Sequence, residues 1–396
     1  MDIENYERVK INFNPKIPPL ERVADKTKID IRYCIISPFA FVHIYWDDKN
    51  YELVYSVDEP ILTEQEKSYK DQLTSAIEDL INFEAVIERN EDVFLEYIDK
   101  RLKILAVEFG LDIPYESYKK IYYYLCRDFL GANEIEPLLR DYFIEDIQCN
   151  GLESPVYIIH RIFRNIKTNI VFKSSAKLES LIEKLAQRCG QHISYANPIL
   201  DGTLPDGSRI NATYTSDITS KGPTFTIRKF TKTPWTPINL ISFRTLSPEM
   251  LAYLWTLVQY KMNILIAGGT ASGKTTLLNA IAFFIPPEAR VVSIEDTREL
   301  NLPRENWLPS VVRGSTGGKG ENEVTLFTLL RASFRQSPDY VIVGEVRGKE
   351  ASVLFQGMAS GHSSVSTMHA DSVDTLIKRL ETPPIELSPT LLNVLD

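Results

Sequence analysis

Apolar residues change their period several times along the chain, and each change marks an element. Ile29, Ile31 and Tyr33 alternate with polar neighbours, and the runs 41–46 and 51–57 flank Asp47-Asp48-Lys49-Asn50, which predicts strands joined by a hairpin. Thr63 and Glu66 form a capping box, after which Tyr69, Leu73, Ile77 and Leu80 repeat at helical spacing. Leu95, Ile98, Leu102 and Leu105 predict a second helix closed by Gly110; Tyr118, Ile121 and Leu125 predict a third between Pro114 and Gly131. Tyr122-Tyr123-Tyr124 sits in this third helix without interleaved basic residues, so a helix buried on several sides is favoured over a base-stacking platform.

Residues 156–162 and 170–172 predict paired strands across a polar connection at 164–169, and Leu178, Leu181, Ile182, Leu185 and Cys189 predict a helix that Gly190 ends. Pro205-Asp206-Gly207 suits a tight turn that starts a strand at Arg209, and residues 225–230 make another strand carrying Arg228 and Lys229. Spacing alone makes these cations a solvated strand edge. Pro234 and Pro237 punctuate a short linker. The expected organisation is an amino-terminal α+β module over 1–112 that opens on an extended arm, a second α+β module over 113–231, a linker over 232–240, and an α/β nucleotide domain over 241–396.

The chemistry is densest just past the linker. The apolar run 263–266 feeds Gly268-Gly269-Thr270-Ala271-Ser272-Gly273-Lys274-Thr275, which is G-x-x-x-x-G-K-[ST] without a mismatch, and helix formers follow from Thr276. Glycines let successive backbone N–H groups point inward, the helix N-terminus adds positive potential, Lys274 brings a cation to the β and γ phosphates, and the Thr275 hydroxyl suits Mg²⁺. Two later apolar runs end in acids. Residues 291–294 lead to Glu295-Asp296, and 340–343 lead to Gly344-Glu345, positions from which a carboxylate can orient water or complete a Mg²⁺ shell. Gly317-Gly318-Lys319 imitates a phosphate loop but lacks the spacing, and is expected to be a loop. His362 and His369 lie seven positions apart in a β-prone segment; without a third ligand nearby, metal ligation is weak and structural histidines are the better reading of that pair alone.

Charge and cysteine content narrow the partners. A net charge of −9 is unlike a general nucleic-acid binder, and no stable nucleic-acid partner is expected. The four cysteines are widely spaced with no C-x-x-C, the N-terminus has no signal-peptide pattern, and no apolar run approaches the ~20 residues of a membrane span. A cytoplasmic protein is expected.

Four blocks occur in a distinctive order: the GGTASGKT loop, Ser293-Ile294-Glu295-Asp296, the stretch from Arg335-Gln336-Ser337-Pro338-Asp339 to Gly344-Glu345-Val346-Arg347, and Gly361-His362 through Ser366-Thr367-Met368-His369. Together they resemble the Walker A, Asp box, Walker B and His box of the type II and type IV secretion ATPases, and Asn197-Pro198-Ile199-Leu200-Asp201-Gly202-Thr203-Leu204-Pro205-Asp206-Gly207-Ser208-Arg209 resembles the archaeal branch. The resemblance covers roughly residues 130–380. It implies a RecA-like P-loop domain preceded by smaller α+β modules, with ATP and Mg²⁺ as cofactors. Gly268, Gly269, Thr270, Ala271, Ser272, Gly273, Lys274, Thr275 and Thr276 would hold the nucleotide, and Thr275 and Glu345 the metal. Glu295 would be the catalytic carboxylate, and His362 and His369 would couple γ-phosphate state to domain position. It further implies a homohexamer at the cytoplasmic face of the membrane, docked on a polytopic platform protein and working with secretion, pilus or archaellum components. Relatives continue with further helices beyond the point where this sequence stops, so the domain over 241–396 is expected to be shortened at its carboxyl end. A short linker would let the second module close over a nucleotide of its own chain or of a ring neighbour, which makes Arg209 and Arg228 candidate arginine fingers. A nucleic-acid-translocating ring and a non-catalytic assembly scaffold are the competing classes.

Overall fold

In a computed structural model the described residues are 3, 6–20, 23, 25–81, 91–230, 234–270, 272–313 and 323–395. The side chain of Leu80, Ala271 of the phosphate loop, Lys232 and Thr233 of the expected linker, and Gly317-Gly318-Lys319 lie outside them. The chain forms two units, Met1–Lys229 and Phe230–Asp396.

The first unit runs β1 (Asp30–Ile36), β2 (Ala40–Asp47), β3 (Glu52–Asp58), α1 (Glu64–Ile81), α2 (Glu91–Glu108), α3 (Tyr115–Leu130), α4 (Glu136–Arg140), β4 (Ile144–Cys149), β5 (Pro155–His160), β6 (Arg164–Val171), α5 (Ser175–Arg188), β7 (Ile199–Thr203), β8 (Arg209–Thr213) and β9 (Thr224–Arg228). The predicted hairpin is present, with Asp47 opposite Glu52 and the Asp47 carboxylate accepting from Lys49 N at 2.9 Å. The capping box is also present: Thr63 Oγ1 accepts from Glu66 N at 3.2 Å while Glu66 accepts from Thr63 N at 2.7 Å. Tyr122 and Tyr123 are fully buried.

The two expected amino-terminal modules are one body. All nine strands form a single sheet ordered β1-β2-β3-β6-β5-β4-β9-β8-β7, closed in the middle by parallel pairing of β3 with β6. Asn169 of β6 extends that join, accepting from Val57 N at 2.9 Å and donating to Val57 O at 3.0 Å. Asp141, just before β4, accepts from the hydroxyls of both Tyr33 and Tyr55 at 2.5 Å, and one hydrophobic core runs from Ile3 to Ile227. The boundary placed between residues 112 and 113 is therefore corrected: contacts separated by about a hundred positions in sequence erase it. The polar stretch expected to connect two strands is most of β6 itself. Asn165, Lys167 and Asn169 alternate along it with the buried Ile166 and Thr168, and the turn lies at 161–163.

The second unit runs α6 (Pro237–Ser242), α7 (Pro248–Gln259), β10 (Ile264–Gly268), α8 (Lys274–Ala282), β11 (Val291–Glu295), β12 (Trp307–Val311), α9 (Leu326–Ser333), β13 (Tyr340–Val346), α10 (Glu350–Ala359), β14 (Ser363–His369), α11 (Val373–Glu381) and α12 (Pro389–Leu392). Thr236 caps α6, so the second half of the expected linker is the start of a helix. The five strands are all parallel, in the order β10-β14-β13-β11-β12. Parallel sheets need both faces covered. Val258, Leu278 and Ile281 of α7 and α8 cover one face; Leu330, Leu354, Phe355, Leu376 and Leu380 of α9, α10 and α11 cover the other. This is an α/β fold of the RecA-like kind, with one strand, β14, between the phosphate-loop strand and β13. No helix among the described residues is long and apolar enough to cross a membrane.

Candidate nucleotide site

The loop between β10 and α8 stands at the carboxyl edge of the sheet, where open α/β folds bind ligands. Gly273 caps α8 with φ +92°, a left-handed conformation that a side chain would strain. It turns the chain so that Lys274 and Thr275 open the helix, where the first amides have no intrahelical acceptor. Lys274 is only 9% exposed; its Nζ donates to Gly269 O at 2.7 Å and lies 3.4 Å from the ring nitrogens of His369. Ser272 Oγ donates to the same Gly269 carbonyl at 2.9 Å. His369 reaches the loop because it is the last residue of β14, directly opposite Gly268 in the parallel ladder.

Glu345 arrives by a break in register. Strand β13 matches β14 as Val343 to Ser366 and then Val346 to Met368, so Gly344 and Glu345 together oppose the single residue Thr367. That is a β-bulge, and it re-aims a side chain. Val341 and Val343 point into the α9–α10–α11 core, and strict alternation would send position 345 after them. Instead Val346 takes the next place in that core, and Glu345 turns toward the loop, with Oε1 3.2 Å from His369 Nε2. Glu345 Oε2 accepts from Arg347 Nη2 at 2.6 Å. Burial pushes the Glu345 carboxyl up, but the Arg347 hydrogen bond and charge, with His369 and Lys274, outweigh it and hold the group below the usual carboxylate range.

Glu295, one strand away at the end of β11, is in a different environment. It is 2% exposed, and Oε1 accepts from the backbone N–H groups of Glu299 and Leu300, both at 2.9 Å. Desolvation exceeds those two bonds, so its carboxyl is pushed up to about 7. Gly344 makes room for it, since a Cβ there would stand 3.1 Å from Glu295 Cγ. Glu295 Oε2 and Glu345 Oε1 are both buried without a hydrogen bond. Carboxylate oxygens with unused acceptor capacity, in the same domain as a threonine in the first turn of α8, are of the chemistry that a hard cation takes, together with waters and phosphate.

Other residues singled out in the sequence fall elsewhere. His362 precedes β14 at its amino end, about 20 Å of strand away from His369. Its ring lies 4.8 Å from that of Phe334 and its Nδ1 3.3 Å from Gly357 O, so the structure does not bring the two histidines expected to couple γ-phosphate state to domain position together: His362 lies at the opposite edge of the sheet from His369. An extended segment cannot bring both ends to one point. Arg209 and Arg228 belong to the first unit, directly opposite each other on β8 and β9. Arg209 pairs with Asp201 at 3.2 Å and Arg228 with Asp146 at 3.6 Å, which offsets the unfavourable facing of like charges. Arg347 was given no role of its own by the sequence, although a cation two positions past Glu345 was its visible signal.

A sequence profile of the Type II/IV secretion system protein family matches residues 130–394. The chain belongs to this family. It is 39% identical to the uncharacterized protein MJ0900 of Methanocaldococcus jannaschii, over all of this chain and 74% of that protein. It is 35% identical to the type IV secretion system protein PtlH of Bordetella pertussis, over 51% of this chain and 66% of PtlH. Among solved structures it resembles the VirB11 ATPase of the Brucella suis type IV secretion system, with 26% identity over 66% of this chain and 88% of that one, at a TM-score of 0.32. The matched stretch spans 74% of MJ0900 and 66% of PtlH, and only 42% of a further relative, the uncharacterized protein MJ0781 of Methanocaldococcus jannaschii. As a member of the secretion family with an unbroken phosphate loop, it is an ATPase.

Proposed function

We propose that this ATPase is a Mg²⁺-dependent motor, assembled as a homohexamer and docked from the cytoplasmic side on a polytopic membrane platform protein, that powers secretion or the assembly of a type IV pilus or archaellum-like filament. One observation carries the catalytic part: Lys274, His369 and Glu345 converge on the phosphate loop from three elements. Bound Mg²⁺ would draw charge from the β and γ phosphates, held by the Thr275 hydroxyl and Glu345. The loop amides and Lys274 bind and orient the triphosphate. Glu345, kept ionised by Arg347, suits the metal shell, whereas Glu295, poised at about 7, suits a general base that takes the proton of the attacking water as the bond to ADP breaks. His369 bridges Lys274 and Glu345 and so can register the γ-phosphate.

Arg209 and Arg228 would supply charge to the γ-phosphate, within one chain or across a ring interface. Alanine at either should slow turnover at least about a hundredfold with nucleotide still bound, far above the ~0 to 1 kcal/mol of a surface ion pair. Phosphate release at saturating ATP and Mg²⁺, measured beside oligomer mass, tests the whole reading. Mixing an Arg209→Ala chain with a Lys274→Ala chain tests action between subunits, since mixed rings regain intact interfaces. Parental turnover in both arginine variants removes the finger. Stimulation by single-stranded DNA, with none by the platform protein in lipid, would turn the motor from secretion to nucleic-acid translocation.

A further inference from the structure

The bulge that delivers Glu345 is held by a side chain on the neighbouring strand. Thr367 is the single β14 residue opposite Gly344 and Glu345; it is 1% exposed, and its Oγ1 donates to Gly344 O at 2.7 Å. A bulge disrupts the ladder locally, and a buried carbonyl needs a donor. Here the donor is a hydroxyl. It bonds the peptide between Gly344 and Glu345, the one whose orientation sets the direction of the Glu345 side chain. The apolar residues usual in a buried parallel strand have no such donor, yet β14 carries Ser363, Ser364, Ser366 and Thr367, all buried.

We infer that Thr367 is a positioning residue for Glu345. Its hydroxyl fixes the bulge in the one register that turns the carboxylate toward Lys274 and His369, and it touches neither nucleotide nor metal itself. The alternative for the strand is regular alternation, which points position 345 into the core beside Val341 and Val343. A buried carboxylate resists that slip, so loss of the hydroxyl should loosen the aim of Glu345 rather than unfold the sheet. The inference rests on the reading of Glu345 as the carboxylate that orients metal and water.

The test uses the full chain with Thr367→Val, Thr367→Ser, Thr367→Ala, Glu345→Gln and the double variant Thr367→Val with Glu345→Gln. Turnover with MgATP is measured beside the affinity for a fluorescent ADP. Valine keeps the shape and removes the hydroxyl; it should cut kcat by about ten- to a hundredfold while affinity stays within about twofold, as expected for a misaimed group rather than a lost binding site. Serine should restore kcat to within about threefold of the parent, which repair of packing alone would not do. The double variant should be no slower than Glu345→Gln, because two changes that act through one carboxylate are not additive. If the valine chain does not fold, the serine and alanine chains differ by the hydroxyl alone, and their ratio decides. Parental kcat in Thr367→Val with an inactive Glu345→Gln overturns the inference and leaves the role of Glu345 standing, as does a double variant slowed by the full product of the single effects. Parental kcat in Glu345→Gln overturns the reading of Glu345, and this inference with it.

Discussion

At the end of β11, Glu295 is buried among backbone donors, and its carboxyl is pushed up to about 7. At the end of the adjacent β13, Glu345 faces Arg347, His369 and Lys274, and its carboxyl is held below the ordinary range. Both are acids closing an apolar parallel strand, and only their surroundings differ. One has dipoles and little water; the other has full positive charges. Environments that push two neighbouring carboxylates apart in this way are how one fold can separate an acid–base group from a fixed negative charge, the roles proposed for Glu295 and Glu345.

The largest effect should come from the element both depend on. Lys274→Ala should abolish most nucleotide binding and lower turnover by on the order of 10³, with the fold retained, because the phosphates lose the loop's only side-chain cation. Unchanged turnover with an unchanged melting curve would move the nucleotide site elsewhere and leave the two carboxylates without a common substrate. Next, Glu295→Gln and Glu345→Gln should each keep nucleotide binding and lose about 10² or more in turnover. The pH–rate profile separates them. An ionisation near 7 should persist in Glu345→Gln and vanish in Glu295→Gln; its survival in the latter would take the general base away from β11.

Stability should divide the pair by sign. The Glu295 carboxyl rises from 4.5 to about 7 on folding, so the folded chain binds more protons between those values and loses stability as pH increases through the window, by about 3 kcal/mol in all. Glu295→Gln should flatten that slope in urea titrations and be the more stable chain at pH 8. Glu345 runs the other way: its lowered carboxyl contributes stability above its unfolded value that is lost as pH falls through its folded one. A slope of one sign for both variants would end the contrast. The smallest effect is expected at Arg347, whose side chain is 62% exposed. Arg347→Ala should change stability by only ~0 to 1 kcal/mol, yet raise the Glu345 carboxyl, a shift that carboxylate NMR can follow.

Much of the second unit was legible along the chain. A strand, a glycine loop and a helix are contiguous, so local pattern is enough to locate the phosphate loop, and apolar runs that end in acids locate β11 and β13. The first unit was less open to such reading. Its hairpin, its capping box and the buried tyrosines of α3 are local and were visible, but the β3–β6 pairing and the bonds of Tyr33 and Tyr55 to Asp141 join distant segments, and no periodicity records them. The histidine pair lies between these cases. Seven positions along a strand set two residues about 20 Å apart and on opposite faces, a consequence of the β pattern itself.

The residue types at the site, their order and the loop that binds phosphate were determined by the sequence, since a helix N-terminus, a left-handed glycine and a lysine beside it need only their neighbours to act. The direction of Glu345 and the ionisation of Glu295 were decided by the tertiary structure. A strand's alternation points position 345 into the core until an extra residue, paired against Thr367 of another strand, reverses it. The same spelling of an acid after an apolar run yields a carboxyl at about 7 or one below the usual range, according to whether dipoles or cations are folded against it, because desolvation and Coulomb attraction depend on neighbours in space.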